Sequence, residues 1–152
     1  MFARRMEMSF MVNQDLNTLF HLLLPHAVDG ICSCGRFNPL CAAVGLDGDI
    51  LPCVAKRCGK NPLTSRFVMM MNRKFQKDAQ SGLVRAVGFC CSLRAVRDRE
   101  HDLHAIVCSL EHQNGDALDA FLPYRLLHGE SAIEFREVLV AKREPTYFSS
   151  PC

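Results

Sequence analysis

The stretch that decides the fold is Leu103–Leu127, which reads LHAIVCSLEHQNGDALDAFLPYRLL. Two apolar runs, Leu103–Glu111 and Ala117–Leu126, flank a polar segment that contains Asn114-Gly115-Asp116. An Asn-Gly pair between apolar runs is a strong signal for a tight hairpin, because such turns require positive φ angles that glycine adopts readily. The stretch therefore predicts a β-hairpin.

Pro123 limits how the second strand of this hairpin can pair. Proline has no backbone N–H, so it is confined to edge strands, strand starts or bulges. We therefore predict that the regular pairing of the sheet ends near Phe121–Tyr124, FLPY. A sheet end of this kind is a place where a partner can bind.

Other strands are predicted on both sides of this hairpin. Leu40–Leu46 and Ile50–Ala55 flank Asp47-Gly48-Asp49, which predicts an earlier hairpin with an Asp-Gly turn. Leu83–Val96 has no clearly polar face, as is typical of a strand that is central or covered on both faces. Ala132–Val140 predicts the last strand, with Ile133 and Phe135 on one face.

A first helix is predicted from the spacing of apolar residues after Asn13, whose side chain can cap a helix. The predicted helix covers Asp15–Leu24. Pro25 is expected to end or kink it, with a short continuation to about Val28 and a stop at Gly30. The residues of the apolar stripe are Leu16, Leu19, Phe20, Leu23 and Leu24.

A second helix is predicted to begin at Thr64 or Ser65 and to end at Gly82. An irregular connection is predicted over Cys32–Pro39, between the first helix and the first strand. The residues that share one face of the second helix are Phe67, Val68, Met71, Phe75 and Ala79.

These elements predict one α+β domain over residues 13–148, in the order α-β-β-α-β-β-β-β. Its two helices are segregated from an antiparallel meander sheet of about five to six strands, because the connections between strands are too short for parallel crossovers. Residues 1–12 are predicted to be a flexible extension and 149–152 a tail. Tyr147 and Phe148 are expected to anchor the preceding segment to the body.

Composition narrows the class of protein. The 152 residues are 49% hydrophobic and 22% charged, which is typical of a globular chain. The net charge of +2 is small, and the basic residues form no cluster in the sequence, which argues against a nucleic-acid partner. We find no membrane-spanning segment and no signal peptide, so a cytoplasmic location is expected.

Nine cysteines raise the question of metal binding. Cys32, Cys34, Cys41, Cys53 and Cys58 do not have the paired knuckle spacing of a zinc ribbon or finger. In a reducing compartment disulfides are not expected, and Cys behaves as a small apolar residue in strands. The neighbours Cys90 and Cys91 should point to opposite faces of one strand. We therefore predict no metal and no cofactor.

The spacing of the histidines, cysteines and aspartates gives little support for a catalytic function. His104 and Cys108 share a strand face but lie roughly 13 Å apart along it, too far for a direct nucleophile–base pair. We expect His104 to be half-buried in the sheet and His112 to be solvated in the turn. Asp47, Asp49 and Asp116 are accounted for by turn formation. The chain has none of the common nucleotide-binding, zinc-protease or serine-hydrolase motifs, so no catalytic residue is predicted.

Met69-Met70-Met71 lies within the second predicted helix. Three consecutive helical residues span about 200° of the helix surface, so they cannot all face one core. Methionine is flexible and suits adaptable contacts. Core filling and contact with a partner or a second copy are both compatible with this run.

Two local patterns resemble a family of small uncharacterised bacterial α+β proteins. The first is G-x-F-x-P-x-x-A, present as Gly35-Arg36-Phe37-Asn38-Pro39-Leu40-Cys41-Ala42 and followed by Leu46-Asp47-Gly48-Asp49. The second is [VL]-[DE]-x-F-L-P-Y, present as Leu118–Tyr124 after Leu110-Glu111-His112 and before Arg143-Glu144-Pro145. The resemblance covers most of the chain from about residue 13 and implies a fold, with no activity attached. Cys34 and Cys41 depart from the family pattern.

The functional hypothesis is a non-catalytic protein-interaction domain of a bacterial cytoplasm, with an immunity-like or accessory role and another protein or a second copy as partner. The alternative is a small enzyme or ligand-binding module with a pocket between the sheet and the first helix. Candidate binding residues are Met70, His104, Asp119 and Tyr124.

Overall fold

The structure is a computed structural model that describes residues 13–35, 37–54, 64–97, 102–126 and 132–148. Within these residues the chain forms two helices and one seven-stranded sheet with only antiparallel pairs. This confirms the predicted α+β class. The elements are α1 (Gln14–Cys34), β1 (Leu40–Gly45), β2 (Ile50–Val54), α2 (Thr64–Gln80), β3 (Val84–Arg97), β4 (Asp102–His112), β5 (Ala117–Leu126), β6 (Ile133–Phe135) and β7 (Leu139–Lys142).

The sheet is a meander only from β3 onward. Its order is β2-β1-β3-β4-β5, and both β6 and β7 pair with the far side of β5. Since β2 and β3 are each antiparallel to β1, they run parallel to each other. The α2 helix therefore connects them across β1. This crossover joins the first hairpin to the meander. The sequence predicts only short connections between strands, so the crossover was not expected.

One helix covers each face of the sheet. The α1 stripe packs on alternate strand residues such as Ala42, Ala86 and Ile106, while α2 packs on Cys41, Ala43, Val87 and Phe89 from the other face. Strand β3 lies between β1 and β4, and its part Val84–Cys90 is covered on both faces, as its apolar pattern predicted; Ser92 and Leu93 beyond it are exposed. The buried side of α1 is formed by Leu16, Leu19, Phe20, Leu23, Ala27 and Ile31.

Small residues let α1 lie close to the sheet. Gly88 of β3 faces α1, and a Cβ placed there would lie 2.9 Å from Leu23 Cδ1 and 3.1 Å from Leu110 Cδ2. Contacts shorter than about 3 Å are repulsive, and close backbone approach is one reason for glycine inside a strand. The large leucines of α1 therefore depend on the missing side chain at position 88.

The first helix is longer than predicted. It runs through Pro25 and past Gly30 to Cys34, so the predicted stop at Gly30 and the irregular start of the Cys32–Pro39 connection are wrong. The physical reason is burial, because Ala27 and Ile31 continue the apolar stripe at four-residue intervals and are fully buried. Packing of this second half outweighs the helix propensities of proline and glycine.

The start of α1 and the ends of both helices follow ordinary capping chemistry. The Asn13 side chain accepts hydrogen bonds from the backbone N–H groups of Asp15 and Leu16, which confirms the predicted N-cap. Gly35 ends α1 with φ 76° and donates to the Ile31 carbonyl. Gly82, with φ 72°, ends α2 as predicted; its N–H and that of Leu83 donate back into the last turn, as in a Schellman motif.

The predicted strand Ala132–Val140 is two strands, β6 and β7, with a one-residue register change between them. Pro123 explains the break. Its carbonyl accepts from the Arg136 N–H, so its nitrogen, which carries no hydrogen, also faces the β6–β7 side. Pairing with β4 continues through Pro123, opposite Ala105. The prediction that regular pairing ends near FLPY is therefore wrong, because pairing with β4 continues to Arg125 and only the β6–β7 side of β5 is irregular.

The two predicted hairpins are confirmed, with Gly48 at φ 93° and Gly115 at φ 104° in their turns. Pro52 lies on the end strand β2, opposite Ala42. The Gly45 N–H donates to the Asp49 carbonyl, and hydrogen-bonded pairs alternate with non-hydrogen-bonded pairs from there along the two strands. Pro52 is in a non-hydrogen-bonded pair, so its nitrogen points away from β1, towards the open edge of the sheet. The proline removes one donor from this sheet edge and so weakens it as a template for an added strand.

Two sequence predictions fall outside the described residues, namely the flexible extension at 1–12 and the tail at 149–152, as does Cys58. The segment before the tail lies on the body as predicted, because the Tyr147 ring packs edge-on against Phe75 with centroids 5.7 Å apart.

Candidate functional site

Two of the four predicted binding residues lie together. The His104 and Tyr124 rings are directly opposite each other on β4 and β5, stacked with centroids 5.3 Å apart. The Tyr124 hydroxyl lies 3.3 Å from Ser92 Oγ, and its ring also contacts Phe135. His104 is half-buried, as predicted, and Tyr124 is buried. Both side chains belong to the α1 face of the sheet.

Asp119 does not join this pair. Its neighbours Leu118 and Ala120 are in the α1-side core, so Asp119 projects from the opposite face of β5. There its carboxylate accepts a hydrogen bond from Arg143 Nε at 3.0 Å. The space between α1 and the sheet is filled by buried apolar side chains. His104, Tyr124 and Asp119 therefore do not line one pocket there.

A histidine–aspartate pair that the sequence did not predict lies at the start of α1. His112 Nε2 is 2.8 Å from Asp15 Oδ2, and Arg85 holds the same carboxylate through Nε and one terminal nitrogen. The other ring nitrogen, Nδ1, accepts from the Asn114 N–H at 3.1 Å. Both ring nitrogens are therefore bonded within the protein, and the geometry suits a structural clamp rather than a general base.

This clamp connects both predicted hairpins to α1. His112 comes from the β4–β5 hairpin, and an Arg85 terminal nitrogen lies 3.4 Å from the Leu46 carbonyl beside the β1–β2 turn. Burial tends to raise the pKa of Asp15, but the hydrogen bonds from Arg85 and His112 outweigh it and lower that pKa. The side chain of His112 is only 13% exposed, so its predicted solvation in the turn is wrong.

Asp116 strengthens the same junction. Its carboxylate accepts from the Asn13 and Asn114 side-chain amides, at 3.0 and 3.1 Å. These hydrogen bonds lower the pKa of Asp116. The turn residues quoted for the hairpin thus also fix the N-cap of α1. Asn13 and Asp116 can each be recognised in the sequence as a cap and a turn residue. They lie about a hundred positions apart, however, so only the tertiary fold brings them into contact.

Glu111 is the one charged side chain among the fully buried residues that the structure describes, at 0% exposure. Its carboxylate accepts from Arg143, from the Thr146 hydroxyl, and from the backbone N–H groups of Tyr147 and Phe148. Burial, then the nearby Glu111 charge, raise the pKa of Tyr147, whose hydroxyl donates to Asn72 of α2. Glu111 therefore binds the segment 143–148 to the sheet and to α2.

The cysteines considered as metal ligands are separated. Cys32 and Cys34 are exposed near the end of α1, whereas Cys41 is buried on the α2 face. The side chain of Cys53 belongs to the part that is not described. Among the described residues no three His, Cys, Asp or Glu side chains are arranged to hold a metal ion.

The α2 outer face is the surface of α2 directed away from the sheet. Met69 and Met70 are 56% and 59% exposed there, while Met71 is buried below them. Two shallow depressions of about 470 and 310 Å³ adjoin along this face and share Arg73. The α2 outer face consists of Arg66, Met69, Met70, Arg73, Gln76, Lys77 and Gln80, all exposed.

A second exposed apolar surface, the leucine corner, lies where the β1–β2 turn meets the end of α2. Leu46, Leu51 and Leu83 are exposed here beside Asp47 and Asp49. The Asp47 carboxylate accepts from the Asp49 N–H at 3.1 Å, and backbone hydrogen bonding of this kind lowers the pKa of Asp47. The turn role predicted for Asp47 is confirmed, and the exposed leucines were not predicted.

Neither helix in the described part of the chain has the length and hydropathy needed to cross a membrane. Comparison of the chain with models of protein families, with curated proteins and with solved structures found no match, so the assignment of function depends on the surfaces and clusters described above.

Proposed function

We propose that this chain is a non-catalytic protein-interaction domain that binds an acidic, apolar-bearing surface of another protein through the α2 outer face. The observation that carries the proposal is the exposure of Met69 and Met70 side by side on a folded helix. An exposed methionine pair adapts its shape to a partner at modest cost, because the side chain is unbranched and polarizable. Single exposed apolar residues are ordinary, but these two form the centre of a depression.

The charges around the methionines define the partner. Arg66 and Arg73 line the same depression and form no ion pair with another described residue. Asp78, the one acidic residue of α2, is bonded to Lys74 outside this face. A face that is cationic throughout favours a partner with carboxylates around an apolar centre, since complementary charge speeds association and excludes wrong partners.

The helix is held firmly enough to present this face. Phe67, Met71 and Phe75 are buried beneath it, and Tyr147 packs against Phe75 from the side. An anchored helix loses little conformational entropy on binding, which favours affinity. Pairing of two copies through this face would bring Arg66 and Arg73 of each against those of the other. That repulsion favours a different protein over a second copy.

The polar clusters outside the α2 outer face stabilise the fold, and this supports a non-catalytic function. The carboxylates of Asp15, Glu111 and Asp119 and both ring nitrogens of His112 are hydrogen-bonded within the fold. A small domain that covers the surface of another protein is what an accessory or immunity-like role requires. We propose a bacterial cytoplasm as its setting, as for the sequence-based hypothesis.

The test is a comparative affinity capture from nuclease-treated lysate of the source cell, with mass spectrometry. The immobilised proteins are the wild type, Met69→Ser/Met70→Ser and Arg66→Glu/Arg73→Glu. The matched controls are Leu139→Ser and Arg136→Glu, which change an equally exposed leucine and an exposed arginine on the β6–β7 side. Circular dichroism should be native for all five, because exposed substitutions change stability by roughly 0.5 kcal/mol or less.

We expect a protein that the wild type and both controls retain and that both α2 variants lose by roughly tenfold or more. Its retention should weaken as salt rises, because exposed charges are screened. Retention that is equal for all five proteins would overturn the proposal. Self-association that the methionine variant abolishes in sedimentation would also overturn it.

A further inference from the structure

Two thiols meet at the centre of the sheet. Cys90 of β3 and Cys108 of β4 are directly opposite each other in the strand register, and their Sγ atoms are 3.2 Å apart. Both side chains lie on the α1 face and are fully buried in the core. The neighbouring Cys91 points to the other face, as the alternation of a strand predicts.

The ladder places this pair at a non-hydrogen-bonded position. The Gln113 N–H donates to the Arg85 carbonyl, which makes Arg85 and Gln113 a hydrogen-bonded pair. Hydrogen-bonded and non-hydrogen-bonded pairs alternate along the two strands. In this register Cys90 and Cys108 form a non-hydrogen-bonded pair. Opposite Cα atoms at such positions are about 4.5 Å apart, inside the range of roughly 4.4–6.8 Å that a disulfide spans.

We infer that Cys90 and Cys108 are a modification site, which two-electron oxidation converts into a cross-strand disulfide within the folded domain. With hydrogen peroxide as oxidant, one thiol becomes a sulfenic acid and releases water. The second thiol then attacks that sulfur, the S–S bond forms, and a second water leaves with the displaced oxygen. The side chains already face each other, so the reaction requires no rearrangement of the strands.

The environment of Cys90 and Cys108 affects how fast they are oxidised, and it does not change which disulfide forms. The hydrogen bond with Cys108, and then burial, raise the pKa of the Cys90 thiol well above its ordinary value. The thiolate is the reactive form, so oxidation in the closed sheet is slow and needs a small neutral oxidant. An oxidant that acts before folding is complete meets no such barrier.

The consequence is a domain whose fold tolerates both redox states. A reducing compartment leaves two apolar thiols in the core, where Cys packs as a small hydrophobe. An oxidising one joins β3 to β4 and closes a loop of the chain, which restricts the unfolded state and stabilises the fold. The inference is independent of the α2 outer face and of any partner.

The experiment oxidises the full chain in two ways and maps the disulfides by mass spectrometry. Folded protein is treated with hydrogen peroxide, and reduced unfolded protein is refolded with oxidised glutathione, where access is not limiting. Remaining thiols are alkylated in denaturant. The Cys91→Ser variant is used for mapping, because it removes the adjacent thiol from the same peptide, and it also serves as the matched control.

We expect a Cys90–Cys108 linkage to form slowly in folded protein treated with peroxide and to be the main product of refolding, in both the wild type and Cys91→Ser. The oxidised protein should have a native circular dichroism spectrum and a thermal midpoint raised by roughly 5 °C or more. Cys90→Ser and Cys108→Ser should lose both the linkage and the shift. Refolded protein in which Cys90 and Cys108 are alkylated, or linked to other cysteines, would overturn the inference.

Discussion

Glu111 illustrates how a single residue of this chain can have a structural role that its sequence context hides. A carboxylate buried in a sheet is costly unless hydrogen bonds and a counter-charge surround it. Here Arg143, Thr146 and two backbone N–H groups do so. Burial would lower the pKa of Arg143, but its hydrogen bonds to Glu111 and Asp119 outweigh this and raise it. Arg143 therefore keeps its charge beside Glu111, and these contacts hold the segment 143–148 on the sheet.

We predict that Glu111→Gln lowers the free energy of unfolding by about 3 kcal/mol, because it leaves Arg143 without its buried partner and places an amide donor against N–H donors. Urea denaturation measures the loss. Hydrogen exchange should show faster exchange of the Tyr147 and Phe148 amides. Glu144→Gln, at an exposed position of the same segment, is the control and should change neither reading.

Gly88 is the second residue whose role is steric. We predict that Gly88→Ala destabilises the protein by about 1–3 kcal/mol, since the new methyl group would crowd Leu23 and Leu110. The measurement is urea denaturation in two backgrounds. In Leu23→Ala, which removes the contacted methyl, the same substitution should cost clearly less. Equal costs in both backgrounds would mean that the crowding is not with Leu23.

At the scale of elements, α1 shows packing prevailing over local propensity. Pro25 lies inside the helix and is exposed, so its ring does not contribute to the core. Ala27 and Ile31 beyond it are buried against the sheet and keep the chain helical. The cap at Gly35 then ends α1 a full turn after the residue, Gly30, that looked like a stop.

We predict that Pro25→Ala stabilises the protein by about 1–3 kcal/mol, because it restores a backbone donor to the helix and removes the clash of the ring with the preceding turn. Thermal and urea unfolding provide the measurement. His26→Ala, at the next exposed position, should change stability by no more than roughly 0.5 kcal/mol. A destabilised Pro25→Ala protein would show that the proline contributes more to stability than its missing donor and its clash cost.

At the scale of the whole molecule, the end of the sheet near the two hairpin turns is held by ionised side chains. Asp15 accepts from Arg85 and His112, and Asp116 bonds Asn13 across the same junction. Both carboxyl groups have lowered pKa values in the folded state. A lowered folded-state pKa stabilises the fold fully above the unfolded-state pKa, near 3.9 for aspartate, and this contribution is lost as pH falls through the folded value.

We predict that the free energy of unfolding falls on acidification below about pH 4, and that Asp15→Asn flattens this decline while lowering stability at neutral pH. Denaturation at a series of pH values measures both effects. Asp29→Asn removes an exposed carboxylate from the same helix and should keep the wild-type slope. A variant Asp15→Asn with an unchanged acid slope would assign the slope to other carboxylates.

For the candidate site too, features that depend on neighbouring residues were predictable from the sequence, and contacts between distant residues were not. The helical spacing of Met69–Met71 predicts that the run cannot all face the core, and Met69 and Met70 are exposed while Met71 is buried. His104 and Tyr124 were identified singly, but their stacking depends on the register of β4 and β5. Asp119 was grouped with them, although it precedes Tyr124 by five residues on the same strand, so strand alternation alone places the two side chains on opposite faces.

The local features of this protein are predictable from neighbouring residues alone. These are the two glycine turns, the Asn13 cap, the apolar stripes of both helices, the two-sided burial of β3 and the α+β class, because each arises from residues close together in the chain. The length of α1, the crossover of α2 and the contacts between distant polar groups depend on how the whole chain packs. Burial against distant strands outweighs local preference, and pairs such as Asp15–His112, Glu111–Arg143 and Cys90–Cys108 exist only after strand register brings them together.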